Sequence, residues 1–204
     1  MINNKELILP LLDFEKEGDF YALFVFLRKK DQPEGEKDNH QSVRTIKTYY
    51  IDSIEYLEKR WDEITHLCEY FKARAYIHVQ KQNHKDVGLE MMVQLATRLK
   101  DGNSKFNNLF DSVVGQIKTY EKRWIIDIDN TDKRYEEFVI GIINNVKPLG
   151  DKIIAKIPTK NGLHLITSPF DVQEFTKYMK VRTDVIPDIQ KKNPTLCYFP
   201  DSLL

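Results

Sequence analysis

Trp124-Ile125-Ile126-Asp127-Ile128-Asp129 is the stretch on which the reading of this chain turns. A short apolar run ends in two acids separated by one residue, the pattern of a strand buried up to its acidic end. Residues two apart on a strand project from the same face, so Asp127 and Asp129 stand side by side. Two carboxylates so placed repel each other and lose hydration when partly covered. A divalent cation between them relieves both penalties, and hard oxygen ligands of this kind suit Mg²⁺ or Mn²⁺. The plainer alternative is a strand end whose acids are solvated or cap the next helix.

Moving outward, the next informative stretch is Thr159-Lys160-Asn161-Gly162-Leu163-His164, between strand-like runs at Lys152 to Ile157 and Leu163 to Thr167. The Asn-Gly pair predicts a tight hairpin, with Gly162 taking up the positive φ such turns favour. His164 follows on the strand leaving the turn. Beside a carboxylate pair it is a candidate phosphate contact or neighbour of a metal site. Lys160 stands at the turn within reach of a triphosphate. Each also has a bland reading, as a packed or surface histidine and an exposed turn lysine.

Further out, Phe20 to Leu27 (FYALFVFL) and Val43 to Ile51 (VRTIKTYYI) predict a hairpin whose long tip is the polar stretch Lys29 to Gln41. Asp52 or Ser53 caps a helix over IEYLEKRWDEITHLCEYFK, and Ala75 to Val79 reads as a strand. Leu89, Met92, Val93, Leu95, Ala96 and Leu99 predict a core-facing stripe on a helix from Val87 to Lys100, ended by Gly102. After the acidic strand come a helix opened by Thr131 and running to Asn145, a short helix at Phe170 to Met179, and a last strand at Thr195 to Phe199. The alternation predicts an α/β or α+β domain with mixed strand directions and helices packed on the sheet.

Length and composition set bounds. The 204 residues suffice for one domain with a real core, and 41% hydrophobic with 30% charged residues is an ordinary globular balance. Zero formal net charge gives no global pull toward nucleic acid, although Lys147 to Lys192 holds nine Lys or Arg against five Asp or Glu. Arg74, Lys81 and Lys85 are candidate template contacts, with plain surface residues the preferred reading. Cys68 and Cys197 have no metal-ligand spacing and are expected as buried free thiols. With no charged leader before an apolar stretch and no apolar run near ~20 residues, a cytoplasmic protein without a membrane partner is expected.

Taken together, WIIDID, TKNGLH and a later acid before a strand resemble the three-motif order of the archaeo-eukaryotic primase superfamily, over Arg123 to Phe199. NGLHLITSPF also resembles sequences of phages and mobile elements. The resemblance implies a two-lobed primase-polymerase-type core, with an N-terminal lobe over 1–120 and a metal-site lobe over 121–204. There the D-x-D strand and the G-x-H hairpin share a mixed or antiparallel sheet. It implies nucleotidyl transfer in DNA replication, with nucleoside triphosphates, a single-stranded DNA template and a replicative helicase as candidate partners. Asp127 and Asp129 then become metal-binding acids. His164, with Lys160 and Gly162, serves the nucleotide, and Asp188 is the third acid, with Asp184 as runner-up and Asp171 as a helix cap. The chain departs from the family in having no zinc-ligand cysteine set and no attached helicase domain. Two rivals stand beside it. Asp127-Ile128-Asp129-Asn130-Thr131 also fits the D-x-D-x-T of haloacid-dehalogenase-type phosphotransferases, and a non-catalytic relic of the primase fold would bind nucleic acid or a partner without turnover.

Overall fold

Seen from the acidic strand, the chain builds two antiparallel sheets that share one core. The computed structural model describes residues 1–28, 31–32, 43–103, 106, 109–117, 119 and 121–203. In chain order the elements are β1 (Ile2–Asn3), α1 (Lys5–Ile8), β2 (Asp19–Arg28), β3 (Val43–Ile51), α2 (Ile54–Phe71), β4 (Arg74–Ile77), β5 (Gln82–Asn83), α3 (His84–Lys100) and α4 (Leu109–Gln116). Then follow β6 (Trp124–Ile128), α5 (Lys133–Asn145), β7 (Ile153–Pro158), β8 (Leu163–Thr167), α6 (Val172–Arg182), β9 (Asp188–Gln190) and β10 (Thr195–Phe199).

The larger, six-stranded sheet has the order β1-β10-β4-β2-β3, with β5 paired to β2. The predicted hairpin is there, Tyr21 opposite Ile51 through Arg28 opposite Val43; its expected tip lies almost wholly outside the described residues. Odd-numbered β2 residues Tyr21, Leu23 and Val25 face α2, which buries Leu57, Trp61, Ile64 and Cys68 against them. That spacing is one face of a helix. Ser53 caps α2, its hydroxyl accepting from the Tyr56 amide at 3.1 Å, and Lys72 closes it with φ 50°. Cys68 and Cys197 are buried free thiols.

The smaller sheet has the order β7-β8-β6-β9, and its chain order β6-α5-β7-β8-α6-β9 is a split β-α-β unit. Every strand pairing among the described residues is antiparallel, so the expected mixture of directions is not seen. Ile126, Ile128 and Leu165 point to α5 and α6, packing on Val139, Ile142, Ile143, Phe175 and Met179. Each such side chain contributes about 1.5–3 kcal/mol by leaving water. Asp132 rather than Thr131 caps α5, accepting from the Arg134 amide at 2.9 Å, because a carboxylate one residue later reaches the free helix amides. Asp171 caps α6 in the same way through the Glu174 amide.

Further placements differ from what the sequence suggested. The last strand, β10, lies in the larger sheet between β1 and β4 and not in the sheet of β6 to β9 that precedes it in the chain. Helix α3 buries Val87 and half-buries Met91 and Leu95, whereas Leu89, Met92, Val93 and Leu99 are half or more exposed. The helix packs on α4 along one narrow seam, and spacing alone could not say which of two adjacent apolar stripes would meet it. Arg74 is 5% exposed, paired with Asp31 at 2.7 Å and lying over the Phe199 ring, because the β4 pleat turns it inward. Lys81 is half-buried and paired with Asp13 at 3.1 Å and Asp19 at 3.6 Å.

Candidate active site

Strand pleating settles what β6 shows to each side. With Ile126 and Ile128 committed to the helices, Asp127 must emerge on the opposite face, beside Ile125. Register then decides its neighbours. Asp127 is directly opposite His164 on β8 and directly opposite Asp188 on β9, both antiparallel. Directly opposed residues share a sheet face with Cβ atoms about 4.5–5.5 Å apart. His164, Asp127 and Asp188 therefore form one row across three adjacent strands. Asp129 lies just past the end of β6 and is exposed.

The row is held by contacts from both sheets. The His164 ring is buried, its Nδ1 2.9 Å from Thr195 Oγ1 on β10 and its Nε2 3.5 Å from Asp127 Oδ1. Burial pulls the imidazole down to about 4, against the opposing pull of Asp129, so it is neutral near pH 7. A neutral ring carries one N–H, and the network is satisfied when Nε2–H faces Asp127 and the Thr195 hydroxyl donates to Nδ1. The Asp127 carboxyl is pushed up, first by burial and then by the charges of Asp129 and Asp188, while Arg28 and a Gln190 hydrogen bond pull it back. Gln190 Nε2 donates to Asp127 Oδ2 at 3.3 Å and to Asp188 Oδ2 at 3.0 Å. One amide thus lies between two carboxylates and offsets part of their repulsion.

Gly162 does a different job from the one its turn suggested. Its φ is not positive; a Cβ there would come within 1.9 Å of Ile128 O and 2.9 Å of Asn130 N. The β7–β8 turn, closed by the Thr159 amide on Gly162 O at 2.9 Å, is pressed against the end of the acidic strand. Only glycine permits that approach, which keeps the turn beside Asp129 and His164 beside Asp127. Lys160, at the same turn, donates to Leu203 O at 2.8 Å and lies over the Phe199 ring, so it is engaged with the C-terminal segment. Asp184 is exposed in the segment leading to β9, and Asp188 is the acid that meets Asp127.

Sequence reasoning did not find Gln190, Thr195 or Arg28. Gln190 had a faint signal, two residues after Asp188 and hence on its face. Thr195 and Arg28 belong to the other sheet and had none. Among the described residues no three His, Cys, Asp or Glu side chains close on one point tightly enough to grip a metal ion. No helix among them is long and apolar enough to cross a membrane. Comparison with protein-family models, with curated proteins and with solved structures returns no match.

Proposed function

We propose that this chain is a metal-dependent nucleotidyltransferase of the primase-polymerase kind, joining nucleoside triphosphates on a single-stranded DNA template. The observation that carries this reading is the row His164–Asp127–Asp188 on one sheet face, with Asp129 at its edge. The donor set suits a hard divalent cation: burial first, and then the charges of Asp129 and Asp188, push Asp127 upward, and a cation between the carboxylates would offset both. Asp127, Asp129 and Asp188 would hold Mg²⁺ or Mn²⁺. Such ions, when bound, would activate a 3′-hydroxyl and neutralise the charge of the leaving pyrophosphate.

The protein groups have separable tasks in this reading. Asp127 and Asp188 supply oxygens, and the Gln190 amide orients both carboxylates before any cation arrives. Thr195 fixes the His164 ring, so that its one N–H, on Nε2, faces Asp127 and would serve a phosphate oxygen by exchanging that carboxylate for it. Gly162 keeps the phosphate-side turn against the carboxylate strand. Lys160 joins only by exchanging the Leu203 carbonyl for a phosphate.

The haloacid-dehalogenase-type reading loses ground here. Such a domain carries its D-x-D strand among parallel neighbours, and β6 has antiparallel partners on both sides. The non-catalytic reading keeps one specific support, acids that do not converge on a single point. Synthesis of labelled product on single-stranded template with Mn²⁺ decides between them. Template-dependent product is expected from the wild type and none from Asp127→Asn. Product from neither, with no Mn²⁺-induced rise in melting temperature, would leave the non-catalytic reading.

A further inference from the structure

Helix α3 turns an apolar face outward. Leu89, Met92, Val93 and Leu99 are 50%, 61%, 60% and 57% exposed, and Ala96 among them is exposed as well. At about 100° per residue Ala96 lies about 180° from Val87, the residue that anchors α3 in its own core. Leu89, Met92, Ala96 and Leu99 follow at intervals of three, four and three, the spacing of a helix that packs lengthwise on another helix. A contiguous exposed stripe of this kind marks an interaction surface. Two properties of the stripe point to its own copy as the partner. The first is side-chain size. When two α3 helices meet antiparallel, with Leu89 level with Leu99 of the second copy, Met92 falls opposite Ala96 in both central layers. Large then meets small, whereas parallel pairing sets Ala96 on Ala96 and Met92 on Met92, a gap beside a crowd. The second is charge. Asp86, Val93 and Lys100 recur every seven residues along one flank of the seam. The antiparallel arrangement brings Asp86 beside Lys100 of the second copy at both ends, with Val93 meeting itself in the middle. A two-fold interface requires such self-complementarity, and an unrelated partner does not.

We propose that the outer face of α3 is a homodimer surface, pairing antiparallel with α3 of a second copy of this chain about a two-fold axis near Val93. The inference stands on α3 alone and is independent of the nucleotidyltransferase reading. The seam is short, since the 17 residues of α3 make a helix ~25 Å long and ~10 Å across. Such a strip covers a few hundred Å², below the ~800 Å² per partner of a standard interface. The dissociation constant is therefore expected on the order of 100 µM. In dilute solution the chain is monomeric and the stripe is bare; the dimer forms where the chain is concentrated.

The test is sedimentation equilibrium of the full chain from about 10 µM to about 1 mM. The weight-average mass is expected to rise from 24.1 kDa toward twice that value. Met92→Glu places a charge in both central layers and should raise the dissociation constant by about tenfold or more. Asp86→Lys sets lysine against lysine at both ends and should weaken association by about threefold to tenfold. Lys100→Asp should weaken it equally, by setting acid against acid. The double variant Asp86→Lys with Lys100→Asp restores both pairs and should regain wild-type association, a rescue that a purely structural role of either residue would not give. A mass that stays at 24.1 kDa up to about 1 mM overturns the proposal. So does wild-type association in Met92→Glu, which would put the contact elsewhere. Single charge variants that weaken association with no rescue in the double variant overturn the antiparallel pairing.

Discussion

The two faces of the smaller sheet, made by the same strands, have opposite characters. One face, Ile126, Ile128 and Leu165, is sealed under α5 and α6. The other carries His164, Asp127 and Asp188 in a row, steadied by groups from the larger sheet. The period of two in a strand lets a single five-residue segment bury Ile126 and Ile128 on one side and turn Asp127 to the other. Substitutions one position apart should therefore give different kinds of defect.

The largest contrast is expected from Asp127→Asn. Synthesis and the Mn²⁺-dependent rise in melting temperature should both vanish, because a ligand that binds only the folded state raises its stability by mass action. The metal-free protein should become more stable. Folding raises the Asp127 pKa, so the charged form is disfavoured in the folded state at neutral pH, and a neutral amide removes that penalty. Calorimetry with and without Mn²⁺ reads both effects. An undiminished metal shift in the variant would put the metal elsewhere.

On the sealed face, Leu165→Ala should cost about 2–5 kcal/mol by opening a cavity. At roughly 2–4 °C per kcal/mol this is a fall in melting temperature of several degrees or more. Activity well below the transition should persist, since Leu165 touches neither the row nor its supports. Loss of activity without loss of stability would mean that the two faces are not separate.

Gly162→Ala should cross the divide. Its new Cβ collides with the Ile128 carbonyl, so the turn must shift, at about 1–3 kcal/mol. Because that shift moves the strand carrying His164, synthesis should fall more than the stability loss explains. Parallel melting and kinetic measurements separate the two.

A smaller effect should come from His164→Gln. A neutral donor contributes about 0.5–1.5 kcal/mol, so nucleotide affinity should fall between about twofold and tenfold. The pH profile offers a second readout. The folded pKa of His164 is held near 4, below its ordinary 6.5, so the unfolded chain takes up the proton first as pH falls. Stability is then full above about 6.5 and is lost progressively toward 4, and the glutamine variant should lose less there. His78, also pulled down to about 4 by burial, adds the same slope from the other sheet and should be unaffected. Smallest of all, Met92→Gln on the exposed side of α3 should alter stability by no more than about 0.5 kcal/mol. A larger loss in dilute solution would mean that this stripe is covered within the chain itself.

How much of this was legible follows the range of the forces involved. The strands at Val43–Ile51, Leu163–Thr167 and Thr195–Phe199 have the bounds their β-rich runs predicted, and Ser53 caps α2 as expected. The strand β9 was not legible: three residues, Asp188-Ile189-Gln190, give no alternation long enough to see, and they become a strand only because β6 offers an edge. The stripe on α3 was misread because two apolar faces compete on it and its packing partners lie far along the chain.

The sequence by itself determined that Asp127 and Asp129 end a buried strand and that a glycine-bearing turn precedes His164, since these follow from local pleat and turn chemistry. Only the tertiary structure decided that Asp188, not Asp184, meets Asp127, that Gly162 matters for close approach rather than for φ, and that Thr195 reaches the row from another sheet. Those outcomes depend on register between distant strands, fixed by burying Ile126, Ile128 and Leu165 together. No window of sequence contains both sides of such a pairing.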